Sequence, residues 1–201
     1  MSHVQWKAGT MVYPAPAVLV SCGSLDAPAP TDGGAHGDAN LFTVAWTGTI
    51  CTNPAMLSIS VRPERHSYGL IRRDMQFTVN LTTEAMARAT DWCGVRSGRD
   101  HDKWAATGLT AVPGVMNSCP YVGQSPLAIE CRVKDIIQLG SHHMFIAEVL
   151  DVLADEQFID PSTGAFDMQR AGLMAYAHGG YFALGQKLGH FGFSVRKNKK
   201  R

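Results

Sequence analysis

Arg62, His66, Ser67 and Tyr68 crowd into "RPERHSY" (62–68), directly after the alternating segment "AMLSISV" (55–61). Ser58 and Ser60 fall on one face of that strand, and Arg62 continues the face past its end. Cations and hydroxyls at the start of a helix suit a phosphate, because free N-terminal amides and charged side chains both favour an anion. A solvated turn in which Ser67 simply caps the helix fits the same residues. Upstream, "LFTVAWTGTIC" (41–51) alternates as a strand. Thr43, Ala45, Thr47, Thr49 and Cys51 share one face; Phe42, Val44, Trp46 and Ile50 share the other. The row of small side chains leaves room for a flat ligand whose edge bonds to backbone, or for packing against another strand or subunit. Lys103, just before Trp104, either snorkels at the surface or reaches a negative group in a cleft. His142 and His143 are adjacent, so on a strand they point to opposite faces and do not readily chelate one ion. "DHDK" (100–103) reads as a surface loop, and no second cluster has metal-ligand spacing, so no metal site is expected. In the glycine-rich end "YAHGGYFALGQKLGHFG" (176–192), Tyr176 and Tyr181 are available for stacking.

The elements that must position these groups are mostly strands. Alternation predicts strands over 17–22, 41–51, 55–61, 76–82, 127–139 and 143–154, the last two forming a hairpin across "GSH". Helices are few: one over 82–94 with Thr83 as N-cap and Gly94 as its stop, a short one from about His66, and another within 99–110. Residues 23–39 are a Gly-, Pro- and Asp-rich loop. This pattern predicts one domain over 1–195, a mainly antiparallel β-barrel with a few short peripheral helices. A basic tail follows at 196–201. Regular strand–helix alternation is absent, as are G-x-G-x-x-G, the P-loop pattern and G-x-S-x-G. A doubly wound nucleotide fold and a serine hydrolase are therefore not signalled.

At 201 residues, 45% hydrophobic and 17% charged, the chain has a globular composition. Its net charge of +1 hides an uneven distribution. The tail "RKNKKR" carries five cations, leaving thirteen basic against seventeen acidic residues before it. With no reading helix or RNA-binding signature in the rest, the tail reads as a solvated terminus rather than a nucleic-acid contact. No signal peptide or membrane-spanning apolar run is apparent. Five widely spaced cysteines without a C-x-x-C pair suit buried thiols in a reducing cytoplasm.

Several stretches, in this order along the chain, resemble the flavin reductase-like family of FMN-binding split barrels, in particular its flavoredoxin-like branch. They are "NLFTVAWTGTICTNPAMLSISVRPERHSYGLI" (40–71), "FTVNL" (77–81), "ATDWCGVRSGRDHDKW" (89–104), "LAIECRV" (127–133) and "GSHHMFIAEV" (140–149). The resemblance implies an antiparallel split β-barrel and an FMN-containing homodimer with flavin near the subunit boundary. It further implies that Asn40, Thr43, Trp46 and backbone around Ala45 and Thr47 hold the ring system and ribityl chain. Ser60, Arg62 and Ser67, with His66 and Tyr68, belong to the phosphate corner. Lys103 and His142 would contact flavin, Lys103 near N1 and the C2 carbonyl, and Tyr176 is preferred over Tyr181 as the C-terminal aromatic.

On that resemblance the expected activity is hydride transfer from NADH or NADPH to flavin, with the cofactor supplying the chemistry. A flavoredoxin-type electron carrier without its own NAD(P)H turnover is the alternative, served by a redox partner protein. A barrel that has lost flavin is a third. The residues themselves do not separate these readings, because the first two need the same cradle.

Overall fold

A computed structural model describes residues 1–28 and 36–195; the basic tail and part of the 23–39 loop lie outside these described residues. Twelve strands are described in chain order: β1 (Ala15–Pro16), β2 (Val18–Cys22), β3 (Asn40–Val44), β4 (Thr47–Thr52), β5 (Ala55–Val61) and β6 (Gln76–Leu81). They continue with β7 (Ala111–Val112), β8 (Tyr121–Val122), β9 (Leu127–Gln138), β10 (His143–Ala154), β11 (Met174–Ala177) and β12 (Gly180–Ala183). Three helices accompany them, α1 (His66–Asp74), α2 (Ala87–Val95) and α3 (Lys103–Thr107).

Seven strands form one antiparallel sheet in the order β3-β2-β6-β9-β10-β5-β4. Its two edge strands, β3 and β4, are joined by only Ala45 and Trp46. Six strand spacings of about 4.8 Å would set the edges of a flat sheet roughly 29 Å apart. Three Cα–Cα steps from Val44 to Thr47 reach no more than roughly 11 Å. The sheet must therefore curl to bring its edges together, and Ser60 N donates to Trp46 O at 2.9 Å, extending the β5–β4 pairing back to the crossing. This is the antiparallel split-barrel architecture expected from the sequence. The segment 41–51 is accordingly not one strand but two. Nothing local breaks it; the chain must cross from one edge of the sheet to the other.

The interior follows from alternation. Leu57, Ile59 and Val61 of β5 point inward, joined by Val18, Val20, Phe42, Phe77, Val79, Cys131, Phe145 and Ala147, while Ser58 and Ser60 stay half-exposed on the outer face. Leu70 and Ile71 of α1 pack on the same core. β2 is buried on both faces, because Leu19 packs with Leu41, Met86, Cys93 and Trp104 under α2 and α3. That double burial is why its sequence reads as a continuous apolar run.

Three local expectations need correction. Helix α1 begins at His66 with Arg65 as N-cap, and no side chain caps it, so Ser67 lies inside the first turn rather than at the cap. The segment 82–94 opens with a 3-10 turn, and α2 runs on past Gly94 to Val95. The aspartate of "DHDK" nearest Lys103 is structural: Asp102 caps α3, accepting from Trp104 N at 3.0 Å and Ala105 N at 3.1 Å. A second, three-stranded sheet, β1-β11-β12, was not signalled by any alternation; it gathers part of the glycine-rich end against the N-terminal segment.

Candidate functional site

A groove of two connected lobes runs along the barrel seam. The first has a volume of about 510 Å³ and the second about 340 Å³. Phe42, Thr43, Arg62, Arg65 and Gly94 line both, so they form the neck. Gly94 keeps α2 close to β3 there; a methyl group on it would lie 3.3 Å from Thr43 Cβ.

The second lobe is built at the β5–α1 corner. Arg65 N donates to Arg62 O, and Tyr68 N turns back to Arg65 O, each at 3.0 Å. This leaves the amides of His66 and Ser67 without a backbone partner among the described residues, as the uncapped first turn of a helix does. Ser67 is 2% exposed, and its Oγ accepts from Asn40 Nδ2 at 2.7 Å, tying α1 to β3. Lys103 is 3% exposed, yet among the described residues it has no carboxylate partner; its Nζ donates to Cys93 O at 2.7 Å. Burial, more than any neighbouring charge, pushes its ammonium down to about 8. His66 is held below its usual value by burial, then by Arg99 and Lys103. Arg62 reaches over the rim to Glu64 at 3.3 Å, where both side chains are exposed. The arrangement presents two open amides, a buried hydroxyl, a buried ammonium and exposed guanidinium groups, a set suited to an anion.

The first lobe is aromatic. On the seam side, the Trp46 and His142 rings lie 4.4 Å apart and tilted by 45°, and Ser141 Oγ is 2.9 Å from His142 Nδ1. Burial, and then Arg62, lowers the His142 pKa. On the opposite side stand the tyrosines of the small sheet. Tyr176 meets Tyr13 at 6.0 Å and Tyr181 at 5.6 Å, both edge to face. Tyr181 OH donates to Asp91 Oδ1 of α2 at 3.3 Å. Thr43 commits its hydroxyl proton to Thr90 O, leaving only lone pairs toward the groove.

Of the residues singled out from sequence, Thr43, Ala45, Trp46, Ser60, Arg62, His142 and Tyr176 line the first lobe. Asn40, Thr43, Arg62, His66, Ser67 and Lys103 line the second. Lys103 thus stands with Ser67 and not with Trp46, away from the place where the ring edge was expected. Two residues line neither lobe. Thr47 lies beyond the Ala45–Trp46 crossing and pairs with Ile59, because the break resets the strand register. Tyr68 turns inward, its hydroxyl 2.8 Å from His143 Nδ1 and its ring against Phe145. His143 is therefore engaged with Tyr68, while His142 faces the groove. Sequence reading missed Tyr13, Asp91, Gly94 and the Arg96–Gly98 turn, and it gave no role to Arg65, which lines both lobes. No local pattern marks them; they meet only through the barrel's closure. Among the described residues, no three His, Cys, Asp or Glu side chains assemble as a metal site, and no helix is long and apolar enough to cross a membrane.

A family model described as the flavin reductase like domain matches residues 10–185. Among solved structures, the chain resembles flavoredoxin of Desulfovibrio vulgaris (Miyazaki F). The identity is 31%, with 96% of this chain and 99% of that chain covered and a TM-score of 0.84. A putative flavin reductase with split barrel domain from Shewanella frigidimarina NCIMB 400 shares the fold. It matches at 22% identity, with coverage of 88% and 84% and a TM-score of 0.73. An NADPH-flavin oxidoreductase of Streptomyces viridifaciens is 30% identical over 124 residues, which is 58% of each chain. The matches to archaeal relatives span 44–68% of those proteins' lengths.

Proposed function

The chain belongs to the flavin reductase-like family, and from that premise we propose that it is an FMN-binding oxidoreductase taking hydride from NADH or NADPH. The observation that carries this reading is the shape and polarity of the groove. A lobe walled by aromatic rings and small residues opens through a narrow neck into a cationic lobe at a helix start. A planar ring joined by a chain to a phosphate has the same sequence of parts. The residues present fit the group: Ser67, the His66 and Ser67 amides, Arg62 and Lys103 would hold the phosphate. Asn40 would keep Ser67 oriented, and Trp46 and Thr43 would border the ring. When bound, FMN supplies the hydride and electron chemistry, and the protein needs no nucleophile of its own. Its residues bind, orient and keep water from the ring.

Trp46, 44% exposed, marks an open flank of the first lobe, and Ile50, 48% exposed, adds apolar surface further along β4. A second copy packed there would complete the wall, the homodimer expected of this family resemblance. Residues 1–195 act in this reading as one flavin-binding unit.

The structural likeness to a flavoredoxin favours a second reading, in which FMN is held tightly and receives electrons from a partner protein. Steady-state oxidation of NADH and NADPH, with and without added FMN, separates the two. Turnover with either donor is expected; a yellow protein that oxidises neither would leave the carrier reading standing.

The rim pair gives a smaller test. Glu64 pairs with Arg62 at the rim of the second lobe, and its carboxyl pKa is lowered by its own backbone amide first and by Arg62 after it. Glu64→Gln frees the guanidinium and should tighten FMN binding by up to about fivefold, the scale of an exposed ion pair. Fluorescence titration measures it, and weaker binding in the variant would contradict the assignment.

A further inference from the structure

The groove is electrically polar along its length. Arg62 and Arg65 stand at the neck, while Asp91 is the one carboxylate lining the first lobe among the described residues. Asp91 is fixed from across the lobe, because Tyr181 OH donates to its Oδ1. Its Oδ2 takes no hydrogen bond from any described residue and is left to a ligand. Burial, reinforced by Asp91, pushes the Tyr181 phenol up to about 12, so it stays a neutral donor. A carboxylate beside a flavin ring opposes reduction, since the reduced ring carries negative charge. Beside a nicotinamide it does the opposite: the dihydro ring is neutral, the oxidised ring is a cation, and the carboxamide N–H is a donor for a carboxylate oxygen. The Tyr176 and Tyr13 rings flank the same spot and offer apolar surface to a planar ring.

We infer that Asp91, oriented by Tyr181, is a binding residue for the hydride donor, contacting the nicotinamide ring and favouring its oxidised, cationic form. This rests on the flavin reading, since the ring needs an FMN-loaded groove to pack against. The polarity sorts the two ligands: phosphate to the cationic lobe, pyridinium to the carboxylate.

The test is binding, not turnover. Full-length protein is loaded with FMN, its flavin content is read from the visible spectrum, and calorimetric titrations use NAD⁺, NADP⁺ and the non-reducing mimic 1,4,5,6-tetrahydro-NAD. Asp91→Asn retains an acceptor for Tyr181 while removing the charge. It should weaken binding of the better oxidised nucleotide about five- to tenfold and change that of the neutral mimic less than twofold. Asp91→Glu, which restores the charge, should recover part of the loss. Equal weakening of both forms would reduce Asp91 to a structural clasp and overturn the inference, as would unchanged NAD⁺ and NADP⁺ affinity. Both of those results leave the flavin reading intact, whereas failure of the wild-type protein to take up FMN overturns both together.

Discussion

Replacing Arg62 and Ser67 together by alanine is expected to weaken FMN binding by at least a hundredfold. The two side chains approach the second lobe from different elements, Arg62 from the end of β5 and Ser67 from the first turn of α1. Ser67 Oγ accepts from Asn40, and its own O–H, beside the buried Cys22 thiol, can turn to donate into the lobe. Among the described residues Arg62 is held only by the exposed Glu64, and it can exchange that partner for a dianion at little cost. Each contact to phosphate is charge-assisted and worth about 1.5–3 kcal/mol. Losing both removes at least about 3 kcal/mol, more than a hundredfold in Kd. The open amides of α1 survive in the variant, so some affinity should persist. Quenching of FMN fluorescence gives the Kd, and thermal unfolding of the unliganded protein checks the fold. A Kd within threefold of wild type, in a variant that melts normally, would remove this corner from the phosphate site.

The corner was legible in the sequence because its parts are local. Ser60, Arg62, His66 and Ser67 lie within eight residues, and the alternation of β5 fixes which of them share a face. The barrel strands were legible for a similar reason: one buried face writes a period of two, as in Leu57, Ile59 and Val61. What stayed hidden depends on closure. The break at Ala45–Trp46 carries no glycine or proline, and only the need to link opposite edges of one sheet explains it. Thr47 was misplaced by that break, and Tyr68 by the inward turn of the helix toward His143 and Phe145. β1 is two residues long, and the β11–β12 hairpin is flanked by glycines, so no window of alternation could report the wall that Tyr176 and Tyr181 build. Asp91 and Tyr181 meet across ninety positions. Lys103 was found by its neighbours in sequence, but its burial under the Cys93 carbonyl and its lobe came only from packing.

That burial makes Lys103 the residue with the most distinctive pH behaviour. In the unfolded chain a lysine titrates near 10.5; in the folded protein burial brings Lys103 to about 8. The charged form is therefore disfavoured by folding, at a cost on the order of 3 kcal/mol that is full below about pH 8. Between pH 8 and 10.5 the unfolded state binds more protons than the folded one, so this residue's contribution to stability rises with pH. A bound phosphate reverses the local balance by stabilising the ammonium and raising its pKa. Binding above pH 8 then requires proton uptake, and FMN affinity should be flat from pH 6.5 to 7.5 and fall by up to about tenfold per unit above 8. The unliganded protein gains stability from this residue over the same range in which its affinity drops, a pair of opposite trends that ordinary alkaline damage does not produce. Lys103→Met removes the buried charge and keeps an unbranched side chain only one atom shorter. The unliganded variant should melt higher at pH 7, bind FMN roughly ten- to a hundredfold more weakly there, and show no slope between pH 7 and 9. Titrations across that range with wild type and variant make the comparison. A wild-type affinity that stays constant to pH 9, or a variant that binds like wild type at pH 7, would mean that Lys103 donates to Cys93 O alone and does not meet the phosphate.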